Sequence, residues 1–440
     1  MTLDPITHDY LALAHGIDRL VPGFIDADVG PPREADRLGD AEPATPLGLL
    51  EQARALAGQV AEADYPERRR AYLAAQVAAM VEVCRSLSGE AIDYAAEVRG
   101  RFDIEPAHTP EANFDAAIAA IDDALPGSGP IPVRMAAWRE RFEVAPEVAM
   151  DLLDVIVPEI RRRTLAFVDL PDGEDVAFAL VRDQPWSGYN WFLGESRSRV
   201  ELNTDLPIRA NGLTGLVCHE AYPGHHTEHS LKEWHLYRQR GWDEHAVQLI
   251  STPQAVISEG IATLAETVVF PAGELHAWQA ETLYPRAGIT GDPGREARLD
   301  AAQRDLRAVN ANAALLLHGG GASEDEAVAY IMRYGLRDEA DARQSLRFIT
   351  DPTWRSYVFT YHAGRDLLGR WLDRGAPDQA TRLARFRDLL TTQVTPSLVA
   401  GWLAAGPDDD GTRQGAGGQD GVEPALDPVS EAPAAIPSPS

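Results

Sequence analysis

The fourteen residues from Leu216 to His229, LVCHEAYPGHHTEH, constrain this chain more than any other part of it. Four histidines and two glutamates fall within eleven residues here, in a chain that has twelve histidines altogether. A His-Glu pair followed by a second histidine one helical turn later is a zinc-binding pattern, with the glutamate as general base. His219 and Glu220 supply the pair, but Pro223 stands where the second histidine belongs. The segment is therefore a candidate metal site on an interrupted helix.

Two later histidines compete for the place of the second ligand. Pro223 has no N–H to donate to the carbonyl of His219, and its ring clashes there, so the helix must kink or widen. A widened turn would return His225 to the position that a regular helix gives to the fourth residue after His219. A nearly regular helix would instead place His226 on the same face, about two turns on. We favour His225 and keep His226 as the alternative.

A third ligand is needed, because catalytic zinc is held by three protein side chains. The segment ISEGIATLAE, residues 257–266, has helical spacing and predicts a helix start with Ser258 as its cap. Glu259 is the predicted third ligand of a single Zn²⁺ ion. Glu266 lies two turns further on about the same face and is a candidate partner for a ligand histidine.

Several segments of the chain resemble one bacterial family. The run HEAYPGHH from His219 to His226 resembles its His-Glu-x-x-Pro-Gly-His-His signature. The family has no established function and is grouped with the zincin-like metallopeptidases of the glutamate-zincin type. Together with further matching pieces, the resemblance covers residues 8 to about 400. These pieces are Ser258–Gly260, residues 317–327, Tyr361 with Gly364, and Gly23–Ala27. The resemblance implies a metallopeptidase-like hydrolase without naming a substrate, and it adds weight to His225.

A zinc hydrolase must also stabilise the negative charge that develops on the substrate carbonyl oxygen. Three side chains in the last third of the chain are candidate donors: His318, which precedes three glycines, Tyr361 and His362. The resemblance favours Tyr361, because it is the tyrosine of the Tyr-x-x-Gly match. Three arginines are candidates for a substrate carboxylate, Arg365 first and then Arg304 and Arg307.

The amino-acid composition limits which partners and which cellular location the protein is expected to have. Forty basic against sixty-eight acidic residues give a net charge of −28, which argues against nucleic acid or an anionic membrane as partner. Two cysteines do not make a disulfide framework, and Cys218 is expected in the core. The N-terminus lacks a basic segment followed by an apolar one, and no apolar run approaches the ~20 residues of a membrane span. These features predict a cytoplasmic location and leave the oligomeric state open.

Apolar periodicity predicts a mostly α (α+β) fold, a zincin-like helical metallohydrolase domain with a small β-sheet beside the active-site helix. Three short strands are predicted, at 165–169, 176–181 and 198–203. We expect an N-terminal helical region over 1–163, a catalytic region over 164–405 that continues the same fold, and a disordered acidic tail over 406–440.

The sequence thus predicts a zinc-dependent hydrolase, most simply a metallopeptidase that cleaves peptides or oligopeptides with Glu220 as general base. An edge of the small sheet would hold the extended peptide by main-chain hydrogen bonds. Two alternatives stay open. One is a metal-dependent hydrolase of a non-peptide amide or ester, and the other is a scaffold that binds metal or peptide without turnover.

Overall fold

A computed structural model describes residues 4–31, 45–184 and 186–405 of the chain. Helices dominate it, and the strands form only small sheets, so the predicted mostly α fold class is confirmed. The tail predicted over 406–440 lies outside the described residues.

The N-terminal region consists of helices with short connections. Many begin with a proline in the first turn, which suits a position whose N–H would have no partner in the helix. Asp4, for example, accepts from the N–H of Ile6 and caps a helix with such a proline. These helices are α1 Pro5–Leu20, α2 Pro46–Glu62, α3 Glu67–Leu87, α4 Tyr94–Phe102, α5 Glu111–Ala124, α6 Ile131–Glu140 and α7 Pro146–Thr164.

The C-terminal region continues with helices after a short β segment. They are α8 Ala210–Glu220, α9 His225–Lys232, α10 Pro253–Val269, α11 Glu274–Trp278, α12 Pro293–Asp305, α13 Val309–His318, α14 Glu324–Gly335, α15 Glu339–Thr350, α16 Thr360–Leu372, α17 Gln379–Thr391 and α18 Pro396–Ala404. Short π- and 3₁₀-helical segments extend or connect them at Glu233–Gln239, Asp243–Ala246, Gln279–Leu283, Tyr284–Ala287 and Tyr357–Phe359.

The main sheet has three strands: β3 Asp175–Val181, β4 Gly188–Gly194 and β5 Arg197–Asn203. Its order is β3-β5-β4, with β3 parallel and β4 antiparallel to the central β5. Two antiparallel pairs accompany it: β1 Ile25–Asp28 with β7 Val247–Leu249, and β2 Glu143–Val144 with β6 Ile208–Arg209. The edge strand β4 contacts α8 and α9, which puts the small sheet beside the helix of His219, as predicted.

One predicted strand is wrong. Residues 165–169 turn and continue without strand pairing, because α7 runs on to Thr164 and the N–H of Leu165 still bonds to the carbonyl of Arg161. Phe167 and Val168 instead belong to the hydrophobic core. The third strand of the sheet is Gly188–Gly194, whose aromatic residues the sequence analysis left unassigned.

The largest hydrophobic core contains residues from both sides of position 163. Ile156 and Ile160 of α7 lie in the same buried cluster as Val217 of α8, Ile261 of α10 and Leu368 of α16. Helix α10, which carries Glu259, is buried over most of its length. The candidate metal-site residues therefore lie on helices that are held in place by the core.

Candidate metal centre

The interrupted helix ends and restarts within five residues. Helix α8 ends at Glu220, the Tyr222–Pro223 peptide bond is cis, and α9 begins at His225. The N–H of Tyr222 donates to the carbonyl of Val217, five residues back, at 3.1 Å. This is the widened turn that Pro223 predicts, although the helix breaks outright where the sequence suggested a kink.

Gly224 makes this sharp restart possible. A Cβ atom at this position would lie 1.9 Å from the carbonyl oxygen of His219 and 2.4 Å from that of Cys218. No side chain fits in that space, so glycine lets the start of α9 lie directly against the end of α8. The close approach brings His225 beside His219, with ring centroids 4.8 Å apart and the ring planes at 88°.

His219, His225 and Glu259 form a compact group. One ligand atom from each lies within 4.8 Å of the other two, and His219 Nε2 is 3.7 Å from Glu259 Oε2. Glu259 stands on α10, which begins at Pro253 and not at the predicted Ser258. The structure thus brings together the three residues that the sequence selected as ligands.

The donor set fits a zinc ion. Glu259 Oε1 accepts from the hydroxyl of Tyr357 at 3.1 Å, but Oε2 is buried and has no hydrogen-bond partner among the described residues. A buried acceptor without a partner costs about 1–3 kcal/mol, and more when it is charged. Two imidazole nitrogens and a carboxylate oxygen are ligands that catalytic zinc uses, with a fourth position left open. A cation here would supply the missing partner of Glu259.

A chain of hydrogen bonds orients the ring of His225. Its Nδ1 lies 3.0 Å from Ser258 Oγ, which donates to Glu228 Oε2 at 2.6 Å. Lys232 donates to the other oxygen of Glu228 at 2.5 Å. With Nδ1 engaged, Nε2 is the nitrogen left for a metal, and such partners of ligand histidines fix ring orientation. Ser258 therefore supports the site from within α10, where the sequence analysis had made it a helix cap.

A second possible group is made of His225, Glu228 and His229. Its carboxylate is already bonded to Lys232 and Ser258, so a cation there would have to displace the lysine ammonium. The group with Glu259, whose oxygen has no partner, is the better metal site.

His226, the alternative ligand, points into a different network. It is fully buried, and its Nδ1 lies 2.9 Å from Ser198 Oγ. Its Nε2 donates to Glu174 Oε2 at 3.1 Å. Tyr222 and Arg161 also donate to Glu174, at 2.7 and 2.6 Å. Both ring nitrogens of His226 are used, so the choice of His225 over His226 agrees with the geometry.

The two candidate ligand histidines are held neutral. Burial, together with the charges of His225 and Arg307, keeps the pKa of His219 well below its usual value. Burial and His229 lower the pKa of His225 to about 4. Neutral imidazole is the form that binds metal, so both residues are ready to act as ligands near pH 7.

Three carboxyl groups converge on the same place. Burial, with the nearby charges of Glu259 and Asp26, raises the pKa of Glu220 to about 8. Burial raises the pKa of Glu259 to about 7 and outweighs the hydrogen bond from Tyr357. Burial raises the pKa of Asp26 and outweighs the hydrogen bond from Tyr189, which lowers it. A divalent cation would lower all three pKa values by its charge.

Asp26 is the residue that sequence reasoning missed. It belongs to the segment Gly23–Ala27, which matched the resembled family but received no role. Strand β1 pairs with β7, and Tyr189 of β4 holds the Asp26 carboxyl close enough to Glu220 to affect its pKa. An aspartate within an otherwise apolar stretch was the signal available in the sequence.

Tyr361 is the candidate donor that lies next to the metal group. Its ring is 5.5 Å from that of Tyr357, whose hydroxyl bonds to Glu259, and its side chain is 40% exposed. Gly364 allows this arrangement, since a Cβ there would lie 2.1 Å from the carbonyl oxygen of Val256 on α10. The Tyr-x-x-Gly match thus packs α16 against the helix of Glu259.

The other two candidate donors have different surroundings. His318 Nε2 bonds to the carbonyl of Ile349 at 2.6 Å, and its ring packs on Tyr94 at 4.6 Å, so the structure does not place it in the metal group. The glycines after His318 follow the end of α13, so a helix end accounts for this run of glycines. His362 lines a cavity beside Arg304 and Arg365, away from the ligand atoms.

Comparisons with known proteins bear on the fold. No protein-family model and no curated protein matches the chain. A solved structure described as "putative lipoprotein from Colwellia psychrerythraea" has a TM-score of 0.51 and 17% identity, covering 84% of this chain and 70% of that one. Another, a "putative lipoprotein of unknown function from Shewanella oneidensis", has a TM-score of 0.47 and 13% identity, covering 92% and 83%. The Colwellia likeness shows a shared fold, while function must be argued from the site itself.

The comparison with the Colwellia structure contradicts the predicted cytoplasmic location. The Colwellia structure is described as a putative lipoprotein, and lipoproteins are held at a membrane by covalently attached lipid. Such an anchor needs no spanning helix, so the lack of a long apolar run in the sequence did not bear on it. Within the described residues no single helix has the length and apolar composition of a membrane span. One pair bent by 65°, Pro253–Val269 and Glu274–Ala287, meets both criteria jointly.

Proposed function

We propose that the protein is a zinc-dependent hydrolase that cleaves peptides or oligopeptides. The observation that carries the proposal is the group of His219, His225 and Glu259, whose ligand atoms lie within 4.8 Å of one another. The unpartnered oxygen of Glu259 supports a cation there. Three ligands of this kind, with a glutamate directly after the first histidine, are typical of catalytic zinc, whereas structural zinc has four protein ligands.

The residues around the group have distinct roles in hydrolysis. Zinc bound by these three side chains would polarise a substrate carbonyl and make water more acidic. Glu220 accepts the proton of the attacking water and passes it to the leaving amine. The hydroxyl of the exposed Tyr361 donates a hydrogen bond to the carbonyl oxygen as that oxygen gains negative charge. Tyr357 and Ser258 hold Glu259 and His225 in place.

An extended peptide is the substrate that suits the surroundings best. Strand β4 is an edge of the three-stranded sheet, and Asn190 on it donates to the main-chain carbonyl of Glu220. A peptide laid along a sheet edge forms main-chain hydrogen bonds regardless of its side chains. Such a peptide would bring its carbonyl groups to Glu220 and the three ligands.

The test is the variant Glu220→Gln. It keeps the size of the side chain and removes the proton acceptor, and Glu220 is not one of the three ligands. We expect the variant to bind one equivalent of zinc. It should cleave a mixed peptide library more slowly than wild type by a factor of ~10²–10⁴. Glu281→Gln, the same change at an exposed helical position, serves as the control and should match wild type.

The outcomes separate the alternatives. Mass spectrometry of the library and elemental analysis of the protein are read together. If wild type takes up no transition metal, the metal site is wrong. If zinc-loaded wild type cleaves no peptide, small amides and esters become the next substrates to assay. An active Glu220→Gln protein would contradict the assigned general base.

A further inference from the structure

Three arginines converge near the metal group. Arg304 lies in the last turn of α12, Arg307 in the turn that follows, and Arg365 on α16. Burial and the positive charges of Arg365 and Arg304 lower the pKa of Arg307, so the guanidinium groups are close enough to repel one another. Like charges gathered in this way are unfavourable unless an anion joins them.

Both Arg304 and Arg307 line two cavities, of about 670 and 360 Å³. The larger cavity runs along Gly215 and Leu216 of α8, which are one helical turn before His219 and Glu220. Arg307 is also near enough to His219 to lower its pKa. The arginines thus face a space that adjoins the proposed reaction centre.

The protein leaves these arginines poorly paired. No hydrogen bond, and no ion pair within 4.0 Å, joins Arg304 or Arg307 to another described residue. Arg365 is 3.6 Å from Asp366, and its Nε is buried without a partner. In a chain of net charge −28, where carboxylates are abundant, unpaired guanidinium groups are noteworthy.

Two carboxylates that line the larger cavity, Glu266 and Asp300, interact electrostatically with Arg304 and Arg307. Asp300 is engaged by His276 at 3.4 Å, and Glu266 is the remaining acidic side chain that acts on Arg307. Glu266 is therefore the one carboxylate acting on Arg304 and Arg307 that no histidine engages, while Arg365 lies beside Asp305 and Asp366 in the smaller cavity. A guanidinium binds a carboxylate through two parallel N–H donors, so a substrate carboxylate would fit here.

We propose that Arg304 and Arg307, with Arg365 beside them, bind the C-terminal carboxylate of the substrate, so that peptides with a free C-terminus near the scissile bond are preferred. This proposal rests on the proposed hydrolase function and adds to it the end of the peptide from which residues are removed. Binding of the terminal carboxylate in the cavity along α8 places the leaving-group side of the peptide there. The enzyme then removes residues from the C-terminal end.

The test compares matched substrates. Short N-acetylated peptides are supplied to zinc-loaded protein as free acids, as C-terminal amides, and as amides whose last residue is glutamate. We expect kcat/KM for the free acids to exceed that for the amides by roughly 10- to 100-fold, the range expected for charged hydrogen bonds. Equal values for acids and amides would overturn the carboxylate site and leave the hydrolase proposal standing. Equal cleavage of free acids and glutamate-ending amides would assign the arginines to an acidic side chain and overturn the C-terminal assignment.

Variants tie the preference to the arginines. Arg307→Gln and Arg304→Gln, made separately in case one fails to fold, should each bring the acid-to-amide ratio toward one, mainly through KM, with zinc content unchanged. Arg298→Gln, on the exposed side of α12, is the control and should keep the wild-type ratio. A ratio unaffected by both variants would overturn the proposal. Cleavage of neither acids nor amides by wild type would overturn the peptidase function, and this inference with it.

Discussion

His225 and His226 are neighbours in sequence and lie in two different polar environments. His226 joins a network in which Glu174 receives three donors and both ring nitrogens have partners. His225 joins a group in which an oxygen of Glu259 has no partner among the described residues. Buried polar groups in proteins are nearly always satisfied, so an exception needs an explanation. The difference supports the proposal that the first network stabilises the fold and the second binds a metal ion.

The largest expected effect is on zinc affinity, when each of the two histidines is replaced by alanine in a separate variant. His225→Ala removes a proposed ligand, so the dissociation constant for zinc should rise by more than the ~10–100-fold that loss of an outer-shell partner costs. His226→Ala should reduce stability and keep zinc binding much closer to wild type. Zinc competition with a chelator at equilibrium measures both. The reverse order would show that the two environments have been assigned the wrong way round.

A smaller effect is expected from Glu174→Gln. Burial alone would raise the pKa of Glu174, but hydrogen bonds from His226, Tyr222 and Arg161 outweigh it and bring the pKa to about 2. Its stabilising contribution is therefore present above the ordinary pKa of 4.5 and is lost as the pH falls toward 2. We expect the variant to lose about 3 kcal/mol of unfolding free energy at pH 7, and less at pH 3.

Chemical denaturation at the two pH values measures this difference. The exposed Asp175→Asn, next in the chain, is the control and should change little at either pH. If Glu174→Gln lost more free energy of zinc binding than free energy of unfolding, the two polar networks would be coupled and could not be assigned separate roles.

Tyr357→Phe should give the smallest effect. It removes the hydroxyl that bonds to Glu259 Oε1 at 3.1 Å and leaves the ring in place, so zinc affinity should fall about tenfold. Tyr361→Phe makes the same change one helical turn further on, where the hydroxyl is assigned to substrate. It should slow hydrolysis without changing zinc affinity. Identical zinc affinities for the two variants would remove the supporting role of Tyr357.

The parts of the site that follow from local sequence were predictable. His219, Glu220 and the widened turn at Pro223 depend on residues close together in the chain. Glu259 could be found because a helix pattern surrounds it. Asp26 could not be found in this way, because its place beside Glu220 depends on the pairing of β1 with β7 and on Tyr189, contacts between distant parts of the chain.

The fold shows the same division. Helical periodicity predicted the mostly α class. The strand predicted at 165–169 was wrong, because the hydrogen bonding of α7 extends to Leu165 and the apolar residues that follow pack into the core. Strand Gly188–Gly194 was missed because pairing with β5, and not its own pattern, defines it. His318 was selected for its place before three glycines, which a helix end explains equally well.

The contact of Gly224 with the carbonyl of His219 limits how the gene for this protein can vary. A codon change to alanine would force α9 away from α8, and would carry His225 away from His219 with it. Folding of this segment and formation of the ligand pair are therefore lost through the same mutation. A lineage could lose the proposed hydrolytic role of Glu220 and keep its fold, but a change at Gly224 would disturb the fold and the candidate ligand pair together.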